Sequence, residues 1–350
     1  MITIAVALSI ILLLVTLYLL FRIQILASIF KGSYRRDVGK SNKVNAVLLL
    51  VFFFVMGGLF IWSFMDAKED MILPNASVHG IDIDQMFWLT MAVIGIVFVI
   101  THILLFVYSY KYQHQDGKRA YFYPHNNKIE IIWTVIPAVV MALLVFSGWK
   151  TWAKITSPAP QDAVVVEIMG KQFNWLTRYP GADNKLGVVK HTLITAENEF
   201  GIDLTDQNSA DDFPGEPSAF HVPKGTPVLL KIRSRDVIHS VFLPHFRVKM
   251  DAVPGMPTSF WFIPTKTTAE MQTETGNPDF QYELACTEVC GRGHFAMKTI
   301  LVVDEPEEYK KWVEAQSKKT FATTLQGGGS DSAAVAVNSE AGAASLATKQ

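Results

Sequence analysis

Long unbroken apolar runs crowd the first 150 residues, and short β-branched or aromatic runs punctuated by Gly and Pro fill most of the rest. Four of the long runs, residues 2–21, 44–65, 85–110 and 131–149, reach the ~20 apolar residues that a helix needs to cross a bilayer. The first has neither a basic flank before it nor a small-residue cleavage site after it, so it reads as a retained helix rather than a secretion signal. Residues 164–169, 228–232, 259–263 and 297–303 predict strands, and several short strands over that length imply a two-sheet sandwich or a barrel. Residues 183–217 are polar and irregular, the pattern of a long surface loop. Pro306 and the acidic residues after it open a predicted surface helix over 306–319, with Tyr309, Trp312 and Val313 on one face. Beyond Phe321 the Gly-, Ala- and Ser-rich stretch lacks the apolar content of a core and reads as a disordered tail.

The charges between the apolar runs orient them. Arg22, Lys31, Arg35, Arg36, Lys40 and Lys43 face Asp37 alone in the first connection. The second holds Asp66, Glu69, Asp70, Asp82 and Asp84 against Lys68, and the third Lys111, Lys118, Arg119 and Lys128 against Asp116. Basic loops stay cytoplasmic, so both termini and everything after Trp149 face outside. A formal net charge of −1 makes no case for nucleic acid as a partner.

Chemistry concentrates in one short segment, Cys286-Thr-Glu288-Val-Cys290-Gly-Arg-Gly-His294-Phe-Ala-Met297. Sulfur ligands beside imidazole select copper over hard cations, and a weak Met ligand suits electron-transfer copper. One Cys with His and Met would suggest a single copper; two Cys four apart can bridge a pair. Cys286 and Cys290 are the only cysteines, which excludes a disulfide framework beyond one tight loop between them, and so short a loop stabilises little. A structural zinc site uses Cys and His in the same way but leaves Met297 unexplained, and a disulfide leaves the imidazole and thioether without a purpose. A binuclear copper electron-transfer centre is the leading reading.

Several motifs, in order, resemble subunit II of the haem–copper cytochrome c oxidases: Glu130-Ile-Ile-Trp-Thr-Val-Ile-Pro137, Gly170-Lys-Gln-Phe173-Asn-Trp175, Asp236-Val-Ile-His239-Ser240, Asp251-Ala-Val-Pro-Gly255 and the Cys286 to Met297 run. The resemblance covers residues 77–319. Together with the four apolar runs, it implies a membrane α-helical part of four transmembrane helices, then an all-β cupredoxin-like sandwich outside the cytoplasm. Residues 1–70 would be two extra helices, 71–152 the family's helix hairpin, 153–319 the Cu-A domain and 320–350 the tail. Cys286 and Cys290 would bridge a binuclear Cu-A, with His239, His294, Met297 and the backbone carbonyl of Glu288 completing it. The Glu288 side chain would hold a Mg ion shared with subunit I. Glu130, also well suited to a helix N-terminus by its charge, would stand at the mouth of a proton channel. Phe173 and Trp175 would form the surface where electrons arrive. The implied protein accepts electrons from a c-type haem on another chain, passes them to haem in subunit I, and sits in a bacterial inner membrane beside that and further membrane subunits, its copper domain periplasmic.

The chain also departs from the family. Phe173 stands where Trp is usual, and Arg235 beside Asp236 where an acidic pair is frequent. A donor bound more permanently than a diffusing basic cytochrome, or meeting a different face, would account for both. No Cys-x-x-Cys-His occurs, so the donor haem belongs to another chain. His245 competes with His239 as a ligand but does not precede Ser240, and reads as a surface or supporting histidine. His191 and His221 read as loop residues, and His102 inside the third run is given no role. Two other functions fit the ligand set: the Cu-A subunit of a related nitric-oxide reductase, and a copper-binding assembly or delivery protein.

Overall fold

The apolar runs form helices that extend past them at one end or both, because helical hydrogen bonding does not stop where the apolar stretch does. In the computed structural model, which describes residues 2–31, 38–115 and 117–325, these are α1 (Ile2–Phe30), α2 (Val38–Met71), α3 (Val78–Lys111) and α4 (Asn127–Ile155). All four are long and apolar enough to span a membrane, by length and composition. The tail from residue 326 on, and Arg35, Arg36, Asp37 and Asp116 of the charged loops, lie outside the described residues. Residues 321–325, beyond the boundary at 319, are helical, and Phe321 packs edge-on to Phe200 at 5.7 Å.

The chain divides into two compact units. One holds the part up to Ala67 with Ile94–Asn127, the other Lys68–Val93 with the chain from Lys128 on. In the first, Phe53 of α2 meets Phe106 of α3 at 4.7 Å, and Ala46 and Phe106 are buried. Most other apolar side chains there, Phe54 and Phe60 among them, are bare in the single chain, as lipid- or subunit-facing positions are.

In the second unit the strands are β1 (Val164–Lys171), β2 (Asn174–Tyr179), β3 (Phe213–Pro214), β4 (Ala219–Pro223), β5 (Val228–Ser234), β6 (His239–Leu243), β7 (Val248–Ala252), β8 (Thr258–Phe262), β9 (Tyr282–Cys286) and β10 (Lys298–Asp304). They make two five-stranded sheets, ordered β3-β2-β1-β5-β8 and β4-β10-β9-β6-β7. Alternation sends Val166, Ile168, Trp175, Leu230, Ile232, Val241, Leu284 and Leu301 into one core. Two further helices close the unit: α5 (Thr268–Thr275), opened by a Thr267–Glu270 capping box, and α6 (Pro306–Gln316). The last seats Trp312 face to face on His221 at 4.4 Å.

Residues 183–217 are not the free surface loop their polarity predicts. They cover the outer side of the first sheet, where β2 presents Arg178. Arg178 bonds Glu167 and Asp212, and Glu167 also pairs with Arg233. Three of these charged groups are almost fully buried, so each is held by its partners. Burial lifts Asp212 to about 6, against the pull of Arg178 and the Gly187 amide.

This unit ties its sandwich to the ends of α3 and α4 rather than leaving it on a linker. Ala76 N donates to His245 O and Val78 N to Ile263 O, while Ser77 Oγ donates to Phe246 O. Arg247 grips Asp84 and the Leu73 carbonyl, and Trp261 donates to Ser157 O. The turn between β6 and β7 is thereby held against the start of α3.

Candidate metal centre

Strand register assembles the site. β6 runs antiparallel to β9 with Val241 opposite Cys286, so His239 at the head of β6 lies beside the loop that follows Cys286. That loop turns through Gly291, at a φ of 136° open to glycine, and returns to β10 through a short turn at His294–Ala296. Two distant pieces of chain thus place six donors together.

Cys286 Sγ lies 3.8 Å from His239 Nδ1, 3.2 Å from the Glu288 carbonyl and 3.9 Å from Cys290 Sγ. Cys290 Sγ lies 3.7 Å from His294 Nδ1 and 3.8 Å from Met297 Sδ. Bond lengths of about 2.3 Å to sulfur and about 2.05 Å to nitrogen at a tetrahedral metal put two sulfurs ~3.8 Å apart, and sulfur and nitrogen ~3.6 Å apart. The separations match donors of shared metals. They are far from the ~2.05 Å of a disulfide, and both cysteines are free thiols.

The donors also sort into two sets. His239, Cys286 and Cys290 draw together within 4.8 Å, whereas His294 and Met297 approach from the Cys290 side. One tetrahedral ion would gather both imidazoles; a pair sharing the cysteines takes one each. The six donors fit a binuclear group with soft ligands. His239, Cys286, Cys290 and Met297 are buried, and burial, with Cys286 alongside, pushes the Cys290 thiol up to about 11. Without a cation the Cys290 thiol stays protonated, and metal binding there must release its proton.

Around the donors stands a second layer. His239 Nε2 lies 2.8 Å from Asp236 Oδ1, so the ring donates there and keeps Nδ1 for the metal. The same carboxylate accepts from Gln172 N and Val237 N, each at 2.7 Å. Burial by itself would raise Asp236, but the Gln172 bond, with those from His239 and Val237, holds it below the ordinary carboxylate range. The Gln172 side chain donates to the Cys290 carbonyl. Gln172 and Asp236 stand in the motifs but carry no pattern of their own; only the fold shows what they hold.

Phe173 is 39% exposed, and its ring covers the metal loop: a Cβ on Gly293 would meet it at 2.6 Å and one on Gly291 at 3.0 Å. Trp175 corrects the expectation of a surface residue. It is 2% exposed, with its ring edge-on to His239 at 5.9 Å, because position 175 on β2 points into the core. The Glu288 side chain is exposed, and Glu130 lies in the first turn of α4.

The other histidines are elsewhere. His245 sits edge-on to Phe280 and Tyr282. His221 is no loop residue: it lies on β4, with Nδ1 2.6 Å from Asp304. His102 bonds the Phe98 carbonyl of its own helix.

Residues 74–150 match the family model of the cytochrome c oxidase subunit II transmembrane domain, and residues 164–304 that of its periplasmic domain. The alternative cytochrome c oxidase subunit 2 of Bradyrhizobium diazoefficiens is 32% identical over 79% of this chain and 93% of its own length. Cytochrome c oxidase subunit 2 of Thermostichus vulcanus is 24% identical over 71% of this chain and 80% of its own. The crystal structure of the periplasmic domain of cytochrome oxidase subunit II from Bradyrhizobium japonicum is 26% identical, covering 46% of this chain and 98% of that one, with a TM-score of 0.32. With its helix hairpin and its β-domain both matched, the chain belongs to the cytochrome c oxidase subunit II family, whose β-domain carries Cu-A.

Proposed function

We propose that this chain is the subunit through which a membrane cytochrome c oxidase receives its electrons. His239, Cys286, Cys290, His294, Met297 and the Glu288 carbonyl hold a binuclear Cu-A. When bound, the copper pair carries one electron at a time, shared between both metals. The observation that carries the reading is the division of six donors about two cysteines 3.9 Å apart. The chain's own part is to fix that cage: β6 and β9 set the two ligand loops, Asp236 orients His239, and burial excludes water. A cage held alike in both oxidation states asks for little rearrangement per electron.

In this reading the donor is a c-type haem on another chain, reached through Phe173, and the acceptor is haem in subunit I, where oxygen is reduced. Exposed Glu288 gives a Mg ion an oxygen ligand that subunit I can complete. Glu130 serves the mouth of a proton channel continued in subunit I. The setting is a bacterial inner membrane, with the β-domain periplasmic by the positive-inside rule. Burial of four of the donors supports retention of copper over delivery of it.

Copper analysis and electron paramagnetic resonance on the full chain in detergent test the reading. Two coppers per chain with one unpaired electron split by both nuclei is the expected result. A single localised copper, or preferential zinc, refutes it.

A further inference from the structure

Arg247 ends the turn that joins β6 to β7, at a φ of 56° in the left-handed region. Glycine takes that conformation without the steric cost a side chain carries, so what the arginine binds has to offset it. Its Nε and Nη2 donate to the two oxygens of Asp84, at 2.8 and 3.1 Å. Nη2 and Nη1 also donate to the carbonyls of Leu73 and Pro244, each at 2.7 Å. A two-point fork on a carboxylate fixes angle as well as distance, which a lysine ammonium does not. Ala76, Ser77 and Val78 tie the sandwich only to the entrance of α3. Among the described residues, Arg247 is the one side chain of the sandwich that hydrogen-bonds a side chain of α3.

The same turn is the foot of both ligand strands. β6 carries His239 at its far end, and β9, which ends at Cys286, begins with Tyr282 packed on Phe246 and His245 at 4.7 and 5.5 Å. β6 is paired on both sides, to β9 and β7, so it carries a tilt along rather than absorbing it. Its five residues span ~16 Å, and a slight tilt at the foot moves the ligand end by on the order of 1 Å.

We infer that Arg247 is the positioning residue that holds the metal centre at its distance from the electron acceptor. The inference rests on the electron-receiving function proposed above and adds a residue for the outgoing step. There α3 belongs to the hairpin seated beside the membrane subunit that holds the acceptor haem, so locking the sandwich to α3 locks that distance. In the step itself one electron leaves the copper pair and reduces one ferric haem, and no bond forms or breaks. Such a transfer weakens steeply as the gap widens. Arrival of the electron from its donor does not depend on the foot of β6, so Arg247 acts on departure alone.

The test is time-resolved electron transfer in the assembled oxidase, with a light-driven reductant injecting one electron into the copper pair. In the parent, copper reduction with no following reduction of haem overturns the underlying function, and the inference with it. Arg247→Gly suits the left-handed φ and removes the fork, so the chain loses the tie without gaining backbone strain. The two-copper spectrum, the copper potential and the rate of reduction by a cytochrome donor should match the parent. Copper-to-haem transfer should slow roughly tenfold or more, as misplacing reacting centres by about 1 Å does. Arg247→Lys, which keeps the charge but not the fork, should fall between. Asp84→Asn, a milder change on the other partner, should slow the same step and serves where the glycine variant does not assemble. A parent-like transfer rate in these variants overturns the assignment. So does slowing that comes with a lost two-copper spectrum, which would make Arg247 a support of the cage. Either result leaves the copper function standing.

Discussion

Asp236→Asn isolates what the layer behind the ligands contributes. The carboxylate holds three donors at 2.7–2.8 Å: His239 Nε2, Val237 N and Gln172 N. Neutralising it changes the His239 bond from a charge-assisted one, about 1.5–3 kcal/mol, to a neutral one of about 0.5–1.5 kcal/mol. The Asn oxygen can keep His239 and Val237, but its NH2 then faces the Gln172 N–H, and one bond is lost outright. Roughly 1 kcal/mol from the imidazole alone weakens metal retention about fivefold. Loosening of the ring carries this toward the 10–100-fold typical of lost outer partners. Competition between the full chain and a chelator, followed by the copper spectrum, measures it. Retention within twofold of the parent, with unaltered hyperfine splitting, would refute the orienting role.

Gly293→Ala should lift the Phe173 ring off the metal loop, since a Cβ there meets ring carbons at 2.6 Å. Expected are a cost of about 1–3 kcal/mol, slower reduction by a cytochrome donor in stopped flow, and unchanged copper content. Arg178→Met leaves Asp212 and Glu167 short of a cation in a buried cluster and should cost about 3–5 kcal/mol, read in thermal unfolding. Asp212 titrates near 6 when folded and near 3.8 when free. The fold therefore holds the extra proton between those values, and stability should fall by about 2–3 kcal/mol as pH rises through that window. Hydrogen exchange over residues 183–217 should follow this fall, and Asp212→Asn should flatten it. Glu130→Gln in the assembled enzyme should slow oxygen consumption roughly tenfold or more if it feeds protons; unchanged turnover removes that role.

Much of the protein was legible in order along the chain. The four apolar runs needed only their length, and the β-branched runs at 164, 228, 259 and 297 fall on β1, β5, β8 and β10. Among the strands that escaped notice, β2 and β6 carry Trp175 and His239, where polar or site residues interrupt the apolar pattern. The ligand types were readable because metal chemistry restricts them to few side chains, five of the six donors lying within twelve consecutive residues.

What the sequence determined by itself was therefore local: helix length, strand propensity, and a set of soft donors. Which donors stand together was a tertiary matter, because the β6–β9 register brings residues 239 and 286 together across the sheet. So was the burial of Trp175, set by which face of β2 meets the second sheet. The polar excursion misled for the same reason. Its charges look solvated along the chain, and only the fold supplies the buried Arg178 and the surface Lys171 and Arg235 that they neutralise. Pairing energies between residues far apart in sequence leave no local trace, so contact and charge balance are decided only when the sheets close.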